Sequence, residues 1–498
     1  MKRKYIYSFC AMMIASITIS SCKKEFLETV PTDQVAAASV FTTTTNAAAA
    51  MNGVYRLMYI QYADQGQGGE SSVMIDMDML GEDLVNPTVG NSWFINMYRY
   101  VDTRNVSAAQ TAFVYRYYYR LISNVNAIIE GIETATGTDA EKSAIRGEAL
   151  TIRAYAHFKL VQLYAERYAA GGANTQLGIP INITTAVQKL PRSTVAEVYT
   201  QINKDLDAAI TNLSNAPARL NKSHINLSVA QGMKARVALT MQNYALAATL
   251  AVQARTNALP GGIGLMSNTD YLAGFNNLTN SEWMWGINQI ADQGTFFYSF
   301  FAYMSVNFNS TNIRSNPKCI NSSLYDQIAT TDVRKNLWDP TAKNTAFAVP
   351  PSGTRFPYMN RKFLANSSSN SYGDLPFMRL AEIYLIEAEA NARQGKDADA
   401  QTALYTLAVK RNLSYVKSTN TGTNLINEIM LQRRSELWGE GFRFTDLKRL
   451  NLPLNRNGAN HVASVAVVFD IPIGDQRWQW LFPQDEINAN NLIVQNPN

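Results

Sequence analysis

The chain is short of cysteine, histidine and long apolar runs, and each shortage excludes a class of chemistry. Its 498 residues hold three cysteines and three histidines. Cys10 and Cys22 lie within the first 22 positions and only Cys319 lies in the body. A disulfide in a processed chain would have to use Cys22, and none is expected. His157, His224 and His461 stand in the separate contexts AHFKL, SHINL and NHVAS, with no HExxH. Zinc catalysis through local histidine or cysteine clusters therefore has no basis, and no metal site is expected. GxSxG and the phosphate-cradling GxxxxGK loop are missing too, and Gly262-Ile263-Gly264-Leu265-Met266-Ser267 only approximates GxGxxG. No catalytic residue and no cofactor is assigned.

Acidic side chains offer little more. Asp76-Met77-Asp78-Met79-Leu80-Gly81-Glu82-Asp83 starts like a calcium loop, but Leu80 and Pro87 occupy the fifth and twelfth positions, where ligands belong. It reads as a solvated or backbone-capping acidic turn. A glycoside hydrolase would need a second carboxylate about 5–10 Å from one such as Asp83.

The charge balance, 44 Lys+Arg against 39 Asp+Glu, is inflated by the N-terminus. Lys2, Arg3 and Lys4 precede the uncharged stretch from Tyr5 to Ile19, and Ser20-Ser21-Cys22 closes it. This is the pattern of a secretory signal peptide over residues 1–21. A small-residue run ending in cysteine is similar to a bacterial lipobox, so Cys22 is expected to carry acyl chains, the alternative being an ordinary signal cut nearby. No later segment has the ~20 apolar residues that a membrane-spanning helix needs. Without residues 1–21 the balance is 41 against 39, which argues against a nucleic-acid binder held by phosphate contacts.

What is abundant is helical periodicity. Phe113 to Ile132 and Asp139 to Tyr168 repeat apolar residues at three and four spacings, with Asp139 as an expected N-cap, and Thr194-Val195-Ala196-Glu197 opens the next helix as a capping box. Leu227 to Gln242 with Tyr244 to Ala254, and Leu380 to Arg393 with Asp397 to Arg411, are helix pairs joined by short Asn- or Gly-containing breaks, as in tetratricopeptide-type αα-hairpins. The expected fold is mostly α, with a helical scaffold mainly at 113–255 and 378–450 in one body spanning 22–498. Two segments, about 61–111 and 259–370, are rich in Gly, Asn and aromatics and read as ligand-facing irregular insertions. Glu282-Trp283-Met284-Trp285-Gly286-Ile287 reads as a short strand with both tryptophans on one face.

Specific motifs then appear. Met378-Arg379-Leu380-Ala381-Glu382-Ile383-Tyr384-Leu385-Ile386-Glu387-Ala388-Glu389-Ala390, Arg433-Arg434-Ser435-Glu436-Leu437-Trp438-Gly439-Glu440-Gly441-Phe442-Arg443-Phe444-Thr445-Asp446-Leu447-Lys448-Arg449, Leu481-Phe482-Pro483 and Gln495-Asn496-Pro497 resemble the SusD-like (SusD/RagB) lipoproteins of Bacteroidetes. Cys22, Phe26-Leu27-Glu28, Pro31-Thr32-Asp33 and Asn52-Gly53-Val54-Tyr55 fit the same family in the right order. Gln432 departs from the acid common there, and Phe482-Pro483-Gln484-Asp485 lacks a frequent Ile-Pro. Arg433 and Glu436 are spaced to pair on one helix face, and Gly441 suits a helix C′ position.

The resemblance implies a noncatalytic, lipid-anchored outer-membrane protein exposed at the cell surface, which binds glycans and caps a SusC-like TonB-dependent transporter. A peptide-binding lid, a glycoside hydrolase and a repeat-type adaptor are the other readings. For glycan capture, Trp93 and Asn96 are the leading pair, in a loop similar to a sugar-contacting region of some members. Asn91, Trp283, Phe296 and Tyr298 are the lesser candidates. Trp93 can equally tuck under its own loop, and Trp283 with Trp285 can pack inward.

Overall fold

The structure is a computed structural model and describes residues 40–294 and 297–498. The signal segment, Cys22 and Phe296 lie outside the described residues.

The scaffold is helical because its sequence stops and starts helices with side chains that satisfy the end groups. Helix α1 (Thr44–Leu57) is capped by Thr43, whose hydroxyl accepts from Asn46 N–H. Helix α2 spans Glu70–Met79, α3 Ala109–Gly131 and α4 Asp139–Tyr164. The N-cap of α4 is Thr138 in a reciprocal box with Glu141, so Asp139 is the first helical residue rather than the cap. The expected Thr194/Glu197 box does open α5 (Val195–Leu213). Each such cap contributes about 1 kcal/mol.

Two αα-hairpins follow the expected pairs: α6 (Leu227–Thr240) with α7 (Tyr244–Ala258), and α8 (Leu380–Ala392) with α9 (Asp397–Arg411). Alanines set their close approach: Ala247, Ala251, Ala254, Ala388 and Ala400 are all buried. Gln242 (φ 60°) and Gly395 (φ 74°) turn the chain at the two breaks. Helices α10 (Gly422–Glu436) and α11 (Arg443–Leu450) complete the C-terminal part.

Short antiparallel strands tie the intervening segments to this scaffold. β1 (Leu84–Val85), β3 (Cys319–Ile320), β5 (Met359–Asn360) and β4 (Trp338–Asp339) form a sheet in the order β1-β3-β5-β4. β2 (Trp283–Gly286) pairs with β6 (Pro376–Arg379), Trp285 lying opposite Met378. One buried apolar cluster draws residues from Ala47 to Ile493.

The acidic segment is the main surprise. Residues 70–79 form a helix buried on every face, not an irregular loop, so no amphipathic stripe announces it. Gly69 (φ 65°) makes its entry possible, since a Cβ there would stand 2.2 Å from Met58 O. The acids are not solvated: Asp78 Oδ2 accepts from Gly441 N–H at 2.8 Å, Glu82 from Arg443 Nε at 2.9 Å, and Asp83 from Arg434 Nε at 3.0 Å. Asp83 is thereby held in an ion pair with Arg434. Among the described residues no group of three or more His, Cys, Asp or Glu is placed to hold a metal ion.

The Arg433–Glu436 pairing expected along the helix does not form. Arg433 Nε donates to Asp446 at 2.7 Å, while Glu436 receives Arg334, Arg379 and Arg411 at 3.3, 3.0 and 3.0 Å. Gly441 lies beyond the C-cap of α10, Leu437, and its φ of 79° lets the backbone pass against Met74.

Candidate functional site

The loop 86–94 is bent by three positive φ angles, at Gly90 (53°), Ser92 (66°) and Phe94 (61°). Left-handed backbone at two non-glycine residues is held by surrounding contacts and is common where a side chain must be aimed. The contacts are visible: Asn316 Nδ2 donates to Asn86 Oδ1 at 3.1 Å, and Thr88 Oγ1 to Ser315 O at 2.7 Å. Phe94 points inward, its ring edge-on to Tyr303 at 5.0 Å. Trp93, between the two strained residues, stays half-buried, 6.4 Å from the same tyrosine and tilted by 67°.

Trp93 and Asn91 line a cleft of ≈ 200 Å³ with Gln65, Phe297, Tyr303 and Asn312. Phe297 is 37% exposed, and Tyr303 is fixed by its hydroxyl, which donates to Gln65 O at 2.8 Å. Burial pushes the Tyr303 phenol up, so it remains a neutral hydrogen-bonding group. Asn312 is 5% exposed, and its Oδ1 accepts from nothing among the described residues. Among the described residues the lining carries no charged side chain: it offers flat rings, hydroxyls and amides. Such a surface can cover the C–H face of a sugar while bonding its rim.

The other candidates are placed differently. Asn96 is exposed on the helical turn Ile95–Tyr98 and bonds Asp102, whose carboxyl burial raises and that bond lowers. It does not share the cleft lining with Trp93. Tyr298 is half-buried beside the cleft, its carbonyl against Gly68, where a Cβ would stand 2.4 Å away. Trp283 is corrected outright: it is fully buried on β2 and meets no surface. Trp285 is buried as well, edge-on to Tyr155 at 5.6 Å and Phe377 at 5.1 Å. Sequence reasoning missed Gln65, Phe297, Tyr303 and Asn312. The density of aromatics between 296 and 308 marked the segment but not which rings face outward.

The C-terminal motifs hold the body rather than the cleft. Asn496 Nδ2 donates to Tyr164 O and Trp480 O at 2.6 and 2.7 Å, and the Gln495 amide pairs with the Phe482 backbone.

Comparisons with known proteins agree on this architecture. No curated protein matches. A SusD-like carbohydrate-binding protein from Bacteroides vulgatus superposes with a TM-score of 0.78 at 24% identity, over 91% of this chain and 97% of that one. A SusD superfamily protein from Bacteroides thetaiotaomicron gives a TM-score of 0.78 at 25% identity, over 92% and 100%. A laminarin-binding SusD-like protein gives 0.69 at 20%, over 92% and 100%. A family described as starch-binding associating with outer membrane matches residues 26–239, and the SusD family matches residues 243–498. With the second match alone covering more than half of its length, and helical hairpins carrying the shared motifs, the chain belongs to the SusD family.

Proposed function

We propose that the protein is a noncatalytic glycan-binding lipoprotein of the outer-membrane surface, held by acyl chains on Cys22, which captures oligo- or polysaccharide and delivers it to a SusC-like TonB-dependent transporter. The observation that carries the binding reading is the uncharged cleft in which half-buried Trp93 and exposed Phe297 stand beside the amides of Asn91, Gln65 and Asn312. Family membership and the laminarin-binding structural relative support the same ligand class. No helix among the described residues is long and apolar enough to cross a membrane, so a helical pore of its own does not account for delivery.

A ring covering ~100 Å² of sugar contributes at most about 2.5 kcal/mol, so one tryptophan alone does not overcome the association cost and several groups must act together. Trp93→Ala is expected to weaken glycan binding by roughly 1–3 kcal/mol with little change in unfolding temperature. The test is calorimetric titration of wild type and variant with a panel of neutral glycans, laminarin included, alongside thermal melts. A destabilised variant with unchanged affinity removes Trp93 from the site, and product release from any glycan overturns the noncatalytic reading.

A further inference from the structure

A second cleft, of ≈ 590 Å³, shares no lining residue with the Trp93 cleft. It opens between the C-terminal half of α1 and the segments 220–224 and 285–293. Its floor is aromatic and rigid. Trp285 Nε1 donates to Ser223 O at 3.2 Å, and Tyr55 lies edge-on to His224 at 5.0 Å. His224 Nδ1 contacts Glu148 Oε2 at 3.1 Å, and the same carboxylate accepts from the Tyr55 hydroxyl behind the wall. Its rim is apolar and open: Leu220 is 81% exposed and Ile290 55%. Asn52, Asn221, Asn288 and Gln293 also line the cleft.

The electrostatic character differs from that of the first cleft. Among the described residues of the lining, Arg56 is the only formally charged side chain and none is a carboxylate. Its guanidinium lies 4.6 Å from the Tyr59 ring centroid and hydrogen-bonds that side chain, while its Nη1, enclosed at the wall, donates to nothing among the described residues. Just outside, Arg219 Nη1 donates to His224 O and Met284 O within the field of Glu148, and Lys222 Nζ donates to Asn280 O. Two acids lie behind the wall and both are engaged, Glu148 as above and Asp374 by the N–H groups of Leu278 and Gln289 at 2.7 and 2.8 Å, while a third, Asp292, is exposed next to the lining residue Gln293. Arg56 therefore brings a positive charge to the lining with no carboxylate beside it, and a ligand that carries a carboxylate supplies the counter-charge that a neutral one lacks.

We propose that this cleft is a second glycan subsite, selective for a carboxylate-bearing sugar, in which Arg56 binds the uronate group and Tyr59, Leu220 and Ile290 cover the sugar's apolar face. The proposal rests on the glycan-binding reading and adds a separate place and a separate ligand chemistry to it.

The test titrates the full chain with an oligogalacturonate and with the same oligosaccharide after its carboxyls are reduced to alcohols, for wild type, Arg56→Gln and Trp93→Ala. Melting curves confirm that each variant is folded. The expected result is at least about tenfold weaker oligogalacturonate binding in Arg56→Gln, the range of a charge-assisted contact, with little change in its affinity for the reduced oligosaccharide. Equal affinity for the reduced oligosaccharide, no effect of Arg56→Gln, loss on Trp93→Ala alone, or no uronate binding by wild type each overturns it. A neutral glucan run in parallel separates the two readings. If it binds and loses affinity in Trp93→Ala while uronates fail, only the second subsite falls; if neither class binds, the glycan reading falls as well.

Discussion

Replacing Glu436 by Gln should destabilise the protein more than any loop substitution, because it unbalances a closed set of buried charges. Arg334, Arg379, Arg411 and Lys362 face Asp332, Glu282, Glu436 and Glu440, four cations against four acids, all at most 5% exposed. Glu436 is the hub, shared by three arginines at 3.0–3.3 Å. Glutamine keeps the shape and removes one negative charge, leaving a net positive charge where no water can solvate it. Removing one partner of a buried ion pair costs about 3–5 kcal/mol, against a total stability of roughly 5–15 kcal/mol. At roughly 2 cal/mol/K of unfolding entropy per residue, a cooperative body of this length loses about 1 °C per kcal/mol, so a fall of about 3–5 °C is expected. Chemical denaturation read by tryptophan fluorescence gives the free energy directly. Adding Arg411→Met restores the charge balance and should recover part of the loss, a coupling of order 0.5–3 kcal/mol. A Glu436→Gln protein within 0.5 kcal/mol of wild type, or a double variant whose losses simply add, would refute the argument that charge balance holds this core together.

The same pair of proteins makes a pH prediction. Burial pushes the Glu436 carboxyl up, but the guanidiniums of Arg411, Arg379 and Arg334 outweigh it and hold it well below its ordinary value of 4.5. A depressed folded pKa contributes stability that is fully present above the unfolded value and lost as pH falls below it. The stability gap between wild type and Glu436→Gln should therefore be largest near neutral pH and shrink below about pH 4.5; a gap that widens on acidification contradicts the sign. Cys22→Ala should move the protein out of the membrane fraction and abolish acyl labelling, since acyl chains supply ~0.8 kcal/mol per buried methylene. Membrane retention without labelling would point to a partner as the sole tether. Mild-detergent extraction should recover a TonB-dependent receptor with the protein, and solitary recovery across several detergents would favour a free-standing binder.

Much of the scaffold was legible in the sequence because helices announce themselves locally. The Thr194/Glu197 box and the breaks at Gln242 and Gly395 follow from contacts within four residues, and the alanines that let the two hairpins close show as a helical repeat. The motifs of residues 378–390 and 433–449 pointed to the family for the same reason. Three things were decided only by the tertiary structure. Helix α2 is apolar and acidic on all faces, so periodicity could not reveal it; its buried acids are met by groups distant in sequence, Glu70 by the Tyr118 hydroxyl and Lys159, Asp76 by Gln110 and Asp78 by the Gly441 N–H. Glu436 lies one turn from Arg433, yet four long-range arginine and aspartate partners outcompeted that local pair. Which aromatics face outward was equally beyond local pattern. Trp93 sits in a polar loop and Trp283 on a strand, and the sequence ranks them only weakly. Backbone strain at Ser92 and Phe94 keeps the first at the surface, while β6 pairing draws the second into the core. Composition and spacing determine which segments become helices; exposure depends on what the rest of the chain lays over each ring, and that information is nonlocal.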